Sequence, residues 1–262
     1  MEKIIVFIKQ VPDTMEVRID PETNRIIREG VPSIINPYDR YAMEAALRLK
    51  ESFGSRAVVA CMGPPQAEAA LREAMSLGFD QAILLSSRDF AGSDTLATSY
   101  TLAALVRKLA PVDVVVCGRE AMDGSTGQVG PEMAEHLGWP FLGFVSKVEE
   151  LKEGRLRVNR MMEDHYEEIE GPLPLVMTVV KEIAEPRLPS LRGLLQAKKA
   201  QIQVWGREEL EMEPARTGSA GSPTWVKRVW TPEHHTQGMK LTGEPEELVD
   251  RLYKELKGQN LL

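Results

Sequence analysis

The chain has 262 residues, of which 43% are hydrophobic and 27% are charged, and its formal net charge is −7. These values are ordinary for a globular protein and suit one large domain, or one domain with an extended tail. The acidic balance argues against nonspecific nucleic-acid binding, which needs a basic surface. Apolar runs no longer than a strand predict no membrane span.

Strands and helices alternate through the first half of the chain. Short β-branched apolar runs predict strands at Ile4–Ile8, Ala57–Cys61, Ala82–Leu85 and Asp113–Cys117. Apolar residues at helical spacing predict helices at Pro37–Lys50, Gln66–Ser76, Thr95–Leu109 and Gln128–Leu137. This alternation predicts an α/β fold with a doubly wound, mostly parallel sheet.

The pattern changes after residue 140. Further strands are predicted at Phe144–Glu150, Arg155–Met162, Tyr166–Glu170 and Leu175–Val180, and we expect them to form an antiparallel extension of the sheet. Residues 184–200 form a Pro- and Arg-rich loop. We therefore expect an α/β domain over residues 1–200 and an extended C-terminal arm over 201–262.

The arm carries Trp225 and Trp230 in a stretch rich in Pro, Gly, Ser and Thr, and ends in a helix at Pro245–Lys257. A long irregular segment with large aromatic side chains favours an arm that lies on a partner protein. The alternative is an arm that folds back on its own domain.

Metal chemistry is not predicted. Cys61 and Cys117 are too few for a disulfide framework or a zinc site, and we interpret them as buried side chains at strand ends. No second ligand type stands at metal-binding spacing from any of the four histidines, which are His136, His165, His234 and His235.

The loop after the fourth strand is the main candidate site. It runs from Gly118 through a polar, glycine-rich stretch into the helix that begins near Gln128. This order places backbone N–H groups and a positive helix end at the carboxyl edge of the sheet, where α/β proteins bind phosphorylated ligands. Ser125 and Thr126 add hydroxyls. The alternative is a surface loop in which Ser125 and Gln128 form a capping box.

Asn36 precedes Pro37 at the predicted start of the first helix, so it suits an N-cap. It could also contact an adenine or ribose, and the two roles are compatible. The dinucleotide fingerprint, the P-loop and the nucleophile elbow are all missing from the sequence. A nucleotide cradle without hydrolytic residues favours ligand binding, or redox chemistry carried out by a cofactor. We therefore predict no catalytic residue.

Several segments together resemble the β subunits of electron-transfer flavoproteins, including the FixA-like members. The segments are Val6–Asp13, Asn36–Asp39, the Glu44–Glu51 helix, Gly118–Asp123, Gly130–Glu132, Glu185–Gly193 and Ala197–Lys199. The resemblance covers about the first 200 residues and is weaker in the arm. His165 departs from the pattern, which has an acidic residue or Gly there, and we interpret it as a surface variation in a hairpin turn.

The resemblance implies a fold similar to the adenine-nucleotide hydrolase-like group and an α subunit that holds FAD. In simple carriers of this family the β subunit binds AMP, whereas in the electron-bifurcating type it binds a second FAD that takes a hydride from NADH. Asp123–Pro131 resembles the bifurcating type. Gly124 also leaves room near a diphosphate.

The function so implied is electron transfer from NADH to an acyl-CoA dehydrogenase-type partner and a low-potential acceptor such as ferredoxin or flavodoxin. A cytoplasmic location is implied by the family alone, and enzymatic activity is expected only within the complex. The alternative is an AMP-binding carrier subunit whose only FAD lies in the α subunit. An ATP-hydrolysing or adenylate-forming enzyme is disfavoured because its S-G-G-x-D and H-x-G-H motifs are absent, and the long arm disfavours a universal-stress-type sensor.

The resemblance also assigns site residues. Residues 184–200 match the recognition loop that docks acyl-CoA dehydrogenases, with Leu191 at the position of its anchoring leucine; without the family, Leu191 would be interpreted as packed on its own domain. The implied cofactor-binding residues are Phe7, Lys9, Gln10, Val11, Pro12, Asn36, Asp39, Met62, Gly118, Arg119, Glu120, Ala121, Asp123, Gly124, Ser125, Thr126, Gly127, Gln128 and Val129.

Overall fold

A computed structural model describes residues 1–13, 32–227 and 238–262. The chain divides into two compact units, Met1–Lys227 and Arg228–Leu262. The strands are β1 (Lys3–Ile8), β2 (Gln10–Pro12), β3 (Ser33–Ile35), β4 (Arg56–Met62), β5 (Gln81–Leu85), β6 (Val114–Gly118), β7 (Phe141–Lys152), β8 (Arg155–Met161), β9 (Tyr166–Pro172), β10 (Leu175–Val179) and β11 (Ile202–Trp205). The helices are α1 (Pro37–Phe53), α2 (Glu68–Met75), α3 (Thr95–Lys108), α4 (Val129–Leu137), α5 (Leu191–Lys199) and α6 (Pro245–Gly258).

Within the described residues, nine strands form one sheet in the order β11-β5-β4-β1-β6-β10-β7-β8-β9. The strands from β11 to β7 pair in parallel, and β7, β8 and β9 pair antiparallel. The predicted fold class is confirmed: a doubly wound, mostly parallel sheet with an antiparallel extension. After β1, the strands β4 and β5 are added on one side of β1, and β6 is then added on its other side. The strand order therefore reverses between β1 and β6.

Both faces of the sheet are covered by helices. One apolar core packs α1 and α2 against side chains such as Ile4 and Val6 of β1. The other packs α3 and α4 against Ile5 and Phe7 of the same strand. Because alternate residues of a strand point to opposite faces, a strand buried on both sides is an unbroken apolar run, as β1 is.

The expectation for Leu175–Val180 was wrong in one respect. This segment is a strand, but β10 lies between β6 and β7 and pairs in parallel with both, instead of belonging to the antiparallel extension. Its sequence Leu-Val-Met-Thr-Val is buried at every position. A fully buried run of this kind is typical of the interior of a parallel sheet.

The segment 184–200 was also wrongly expected to be a loop throughout. Its second part forms α5, which begins after Ser190, whose hydroxyl accepts a hydrogen bond from the Gly193 N–H at 3.0 Å. Ser at an N-cap stabilises a helix start because it satisfies a free N–H group.

The first compact unit extends past the expected boundary at residue 200, because β11 pairs with β5 along the edge of the sheet. Trp225 is 77% exposed. Trp230, His234 and His235 lie outside the described residues. In the second unit, the predicted terminal helix is present as α6, and Val249, Leu252 and Tyr253 are exposed on it.

Candidate functional site

The candidate site lies where the strand order reverses. Phe7 of β1 is in register with Cys117 of β6, and Ile8 is in register with Cys61 of β4. The carboxyl ends of three neighbouring strands therefore meet at one edge, and ligands of doubly wound sheets bind at such a point. The segment after β1 forms a short antiparallel pair, β2 with β3, that leads directly into Asn36 and α1.

Asn36 ties α1 to the β6–α4 loop, which comprises residues 119–128. Its side chain is 1% exposed. Its Nδ2 donates to the Glu120 carbonyl oxygen at 2.8 Å, and its Oδ1 accepts from the Met122 N–H at 3.0 Å. Asn36 occupies the N-cap position before Pro37, but its side chain makes no capping hydrogen bond. The Asp39 N–H instead donates to the Asn36 carbonyl at 2.9 Å, which frees the amide to span the gap between the two segments.

Asp39 lies one turn further along α1 and is 6% exposed. Its Oδ2 accepts from the Lys9 N–H at 2.7 Å. Burial raises the pKa of Asp39 to about 7, although hydrogen bonds from Asn36 and the Lys9 backbone and the charge of Lys9 oppose the change. The carboxyl therefore joins the end of β1 to α1 and titrates near neutral pH.

Charged side chains at this edge of the sheet are paired. The Lys9 Nζ lies 2.7 Å from Asp123 Oδ1, which connects the segment after β1 with the β6–α4 loop. The Arg119 guanidinium binds Glu120 at 2.6 Å and lies 5.2 Å from the ring centroid of Tyr38. Arg119, one of the cofactor-binding residues that the resemblance implies, is thus held by a carboxylate and an aromatic ring.

The end of the β6–α4 loop presents backbone donors. Its capping alternative was wrong, because α4 has Gln128 as N-cap and no side-chain capping hydrogen bond. Within the described ranges, the N–H groups of Thr126, Gly127 and Gln128 have no hydrogen-bond acceptor. Ser125 and Gly127 have φ values of 50° and 62°. Successive N–H groups around left-handed residues form a concavity that binds anions, so this loop suits a phosphate.

Gly124 and Gly118 contribute in different ways. A Cβ on Gly124 would meet nothing within 4 Å, so open space lies beside it. A Cβ on Gly118 would lie 2.7 Å from the Tyr38 carbonyl carbon and would overlap the Asp39 carboxyl. Gly118 therefore allows α1 and β6 to approach each other closely.

The structure brings most of the predicted site residues to one edge but buries some of their side chains. Phe7 is 5% exposed and packs in the core beneath α3 and α4, and Val11 is 1% exposed. Met62 is half-buried against the same core as Phe7. Leu191 belongs to a different region, because it begins α5 and is 75% exposed.

Sequence reasoning missed two arrangements. Tyr38 stands under Arg119, and Glu44 is a 4% exposed carboxylate on α1 that binds Arg187 and Arg48. The sequence contains an indication of this pairing, because Glu44 is a charged residue within the apolar run of α1 from Ala42 to Leu47. Charged residues are almost never fully buried unless they are paired, so the position predicts a partner.

Comparison with family models matches residues 23–210 to the electron transfer flavoprotein domain. The chain belongs to the electron transfer flavoprotein family. It is 46% identical over 260 residues to the electron transfer flavoprotein subunit beta of Thermoanaerobacterium thermosaccharolyticum, with 99% of each chain covered. This confirms the resemblance to the β subunits drawn from the sequence.

Two further relatives of this electron transfer flavoprotein carry more specific names. Subunit CarD of the caffeyl-CoA reductase-Etf complex of Acetobacterium woodii is 44% identical over 99% of this chain and 100% of its own length. Protein FixA of Azotobacter vinelandii is 43% identical over 90% of this chain and 86% of its own length.

No helix among residues 1–13, 32–227 and 238–262 combines the length and apolar character that crossing a membrane requires. Over the same ranges, no three His, Cys, Asp or Glu side chains are grouped so that they could hold a metal ion.

Proposed function

We propose that this chain is the β subunit of a heterodimeric electron transfer flavoprotein of the bifurcating type, and that it binds FAD at the carboxyl ends of β1 and β6. The nucleotide site itself is supported most by one observation: the N–H groups of Thr126, Gly127 and Gln128, just before α4, have no hydrogen-bond acceptor within the described residues. They suit the phosphate groups of a nucleotide at the point where the strand order reverses.

The residues fit a flavin nucleotide. The N–H groups of the β6–α4 loop, with the hydroxyls of Ser125 and Thr126, bind the diphosphate. Asn36 and Asp39 hold the two walls of the site at a fixed spacing through their hydrogen bonds to Met122 and Lys9. When bound, a flavin supplies the electron-accepting and electron-donating chemistry, so the protein contributes binding, orientation and electrostatics.

The open space beside Gly124 favours FAD over AMP. No protein atom lies within 4 Å of a Cβ at this position, so packing does not require a glycine there. FAD is larger than AMP, because it has a second phosphate and a flavin, and part of it could occupy the space beside Gly124. The names of the relatives point the same way, since CarD is a subunit of a reductase-Etf complex.

Electron delivery requires partners. We propose an electron transfer flavoprotein α subunit, with NADH as donor and an acyl-CoA dehydrogenase-type flavoenzyme and ferredoxin or flavodoxin as acceptors, in the cytoplasm. The exposed Leu191 side chain at the start of α5 suits a pocket on the dehydrogenase. The C-terminal arm is proposed to contact the α subunit through its terminal helix α6, on which Val249, Leu252 and Tyr253 are exposed.

The second candidate is a simple carrier subunit that binds AMP. The same N–H groups would bind its single phosphate, so the cradle alone does not distinguish the two ligands. The absence of hydrolytic motifs from the sequence disfavours ATP turnover in either case.

The test is to purify the αβ heterodimer, release its ligands by denaturation, and count flavin and adenine nucleotides. Two FAD per heterodimer are expected, and the flavin that this chain binds should be lost in Gly124→Asn. Gly154→Asn is the control, because Gly154 also has open space, has a left-handed backbone (φ 73°) that Asn tolerates, and lies in the turn between β7 and β8. One FAD with one AMP per heterodimer would refute the bifurcating assignment.

A further inference from the structure

The segment around Leu191 exposes more apolar surface than its own fold requires. Leu188 is 90% exposed and Leu191 is 75% exposed, and Leu194 and Leu195 on α5 are 44% and 56% exposed. We call these four residues the leucine patch. α5 packs on the protein through its small residues instead, since Gly193 and Ala197 are buried. Clustered exposed leucines are typical of a surface that binds a partner.

The C-terminal side of the leucine patch is fixed to α2. A Cβ on Gly193 would overlap the backbone carbonyl of Ser76 at the end of α2, so only glycine allows this contact. The Arg72 guanidinium donates to the Ala197 carbonyl at 2.8 Å and to the Ala200 carbonyl at 3.3 Å. These contacts hold the last turn of α5, where free carbonyls need donors.

The N-terminal side is fixed to α1 by Arg187, which immediately precedes Leu188. Its Nε and its backbone N–H donate to Glu44 Oε2 at 2.8 and 3.2 Å, and its Nη2 donates to Glu44 Oε1 at 3.1 Å. The Nη2 also donates to Glu51 Oε2 at 3.1 Å, and the Nη1 donates to Glu51 Oε1. One guanidinium thus binds two carboxylates that lie two turns apart on α1, a geometry that lysine cannot reproduce.

The Glu44 carboxylate is suited to hold this contact permanently. Its side chain is 5% exposed. Burial acts to raise the pKa of Glu44, but hydrogen bonds from Arg187 and Arg48 outweigh burial and lower it. Glu44 therefore stays ionised, and a buried ionised group whose partner is removed is strongly destabilised. The ion pair between Arg187 and the buried Glu44 is accordingly stronger than an ion pair between two exposed side chains.

We propose that Arg187 is a positioning residue for partner recognition: by binding Glu44 and Glu51 it holds residues 184–190 on α1, so that Leu188 and Leu191 are presented in a fixed arrangement. This inference rests on the proposed docking role of Leu191. Fixing a binding segment beforehand reduces the entropy that association would otherwise cost. The occupant is the flavoenzyme partner of the proposed function, whose binding pocket is expected to be apolar because the four exposed side chains of the patch are leucines.

The experiment compares Arg187→Gln and Arg187→Lys with wild type in the αβ heterodimer. Arg48→Gln is the matched control, because Arg48 also binds Glu44 but does not hold the segment that precedes the patch. Amide hydrogen exchange over residues 184–196 should quicken in Arg187→Gln, quicken less in Arg187→Lys, and remain at the wild-type rate in Arg48→Gln. Unchanged exchange in Arg187→Gln would overturn the proposal.

A kinetic measurement separates positioning from a general loss of structure. With a butyryl-CoA dehydrogenase as the probe partner, Arg187→Gln should raise the KM for the flavoprotein by roughly five- to fifty-fold. The kcat and the flavin content should stay at wild-type values. A fall in kcat or in flavin content at unchanged KM would assign Arg187 a merely structural role and refute the proposal.

Leu191→Ala distinguishes failure of this inference from failure of the docking function. If Leu191→Ala raises KM and Arg187→Gln does not, docking stands and the positioning role of Arg187 is wrong. If Leu191→Ala leaves KM unchanged, the proposed docking function fails, and the positioning role for recognition fails with it whatever the exchange rates are.

Discussion

Gly118 at the end of β6 lies directly against the carboxyl group of Asp39 on α1. A Cβ at this glycine would overlap Asp39 Oδ1 and would lie 2.7 Å from the backbone carbonyl carbon of Tyr38. The backbone of α1 cannot move aside easily, because Asn36 and Asp39 bind the β6–α4 loop and the segment after β1. This contact sets the distance between the two walls of the candidate site.

Gly118→Ala should therefore destabilise the protein. We expect a loss of roughly 1–3 kcal/mol in the free energy of unfolding, as for other overpacked core positions. Gly124→Ala is the control, because its Cβ would meet nothing within 4 Å. Thermal unfolding of both variants checks this. Equal unfolding temperatures for Gly118→Ala and wild type would show that α1 and β6 separate without cost.

Asn36→Ala should release the β6–α4 loop. The substitution leaves the Glu120 carbonyl and the Met122 N–H without their partners, and an unsatisfied group costs about 1–3 kcal/mol when it is buried. Asn36→Asp should not preserve the contact, because it would bury a carboxylate beside Asp39 and set an oxygen against the Glu120 carbonyl in place of the donor. We expect stability and flavin retention to fall below wild type in both variants.

Asn159→Ala serves as a control for Asn36→Ala. It also removes an amide hydrogen bond, from Asn159 to Glu149 at 2.6 Å, but in the antiparallel extension. It should change stability without loss of flavin. Flavin loss of the same size in both variants would mean that Asn36 acts only through overall stability.

The sequence predicted the parallel strands β1, β4, β5 and β6 because each is a short apolar run bounded by polar residues. It did not predict the place of β10, although the buried run Leu175–Val179 carried the composition of an interior parallel strand. The order of the strands depends on how the apolar faces of the sheet pack against the helices. This packing involves residues far apart in the chain, so the local sequence pattern could not determine where β10 lies.

The site shows the same limit. The glycines and hydroxyls of the β6–α4 loop predicted a phosphate-binding loop from sequence alone, because the local backbone chemistry of such a loop determines what it can bind. The bond from Asn36 to Glu120 joins residues 84 positions apart, and a single sequence does not encode such a pair visibly. Asn36 before Pro37 indicated an N-cap, and Asn36 does occupy that position. Its side chain, however, makes no capping hydrogen bond and instead bridges to the β6–α4 loop, which the sequence did not predict.

The pKa of Asp39 predicts how stability depends on pH. Burial raises this pKa from an unperturbed value of 3.8 to about 7. Between these values the folded state binds more protons than the unfolded state, so the contribution of Asp39 is fully present below about pH 4 and is lost as the pH rises toward 7. The loss is of the order of a few kcal/mol.

Asp39→Asn removes this dependence, because an amide does not titrate. The free energy of unfolding of wild type minus that of Asp39→Asn should fall as the pH rises from about 5 to about 8. The neighbouring thiols do not contribute, because burial raises the pKa of Cys61 to about 12 and raises that of Cys117 further still. The pKa of Glu44 is lowered, so its contribution to stability has the opposite pH dependence. It cancels in the difference because both proteins contain Glu44. A difference that stays constant with pH would show that the Asp39 carboxyl remains ionised, held by the Lys9 N–H and ammonium strongly enough to offset its burial.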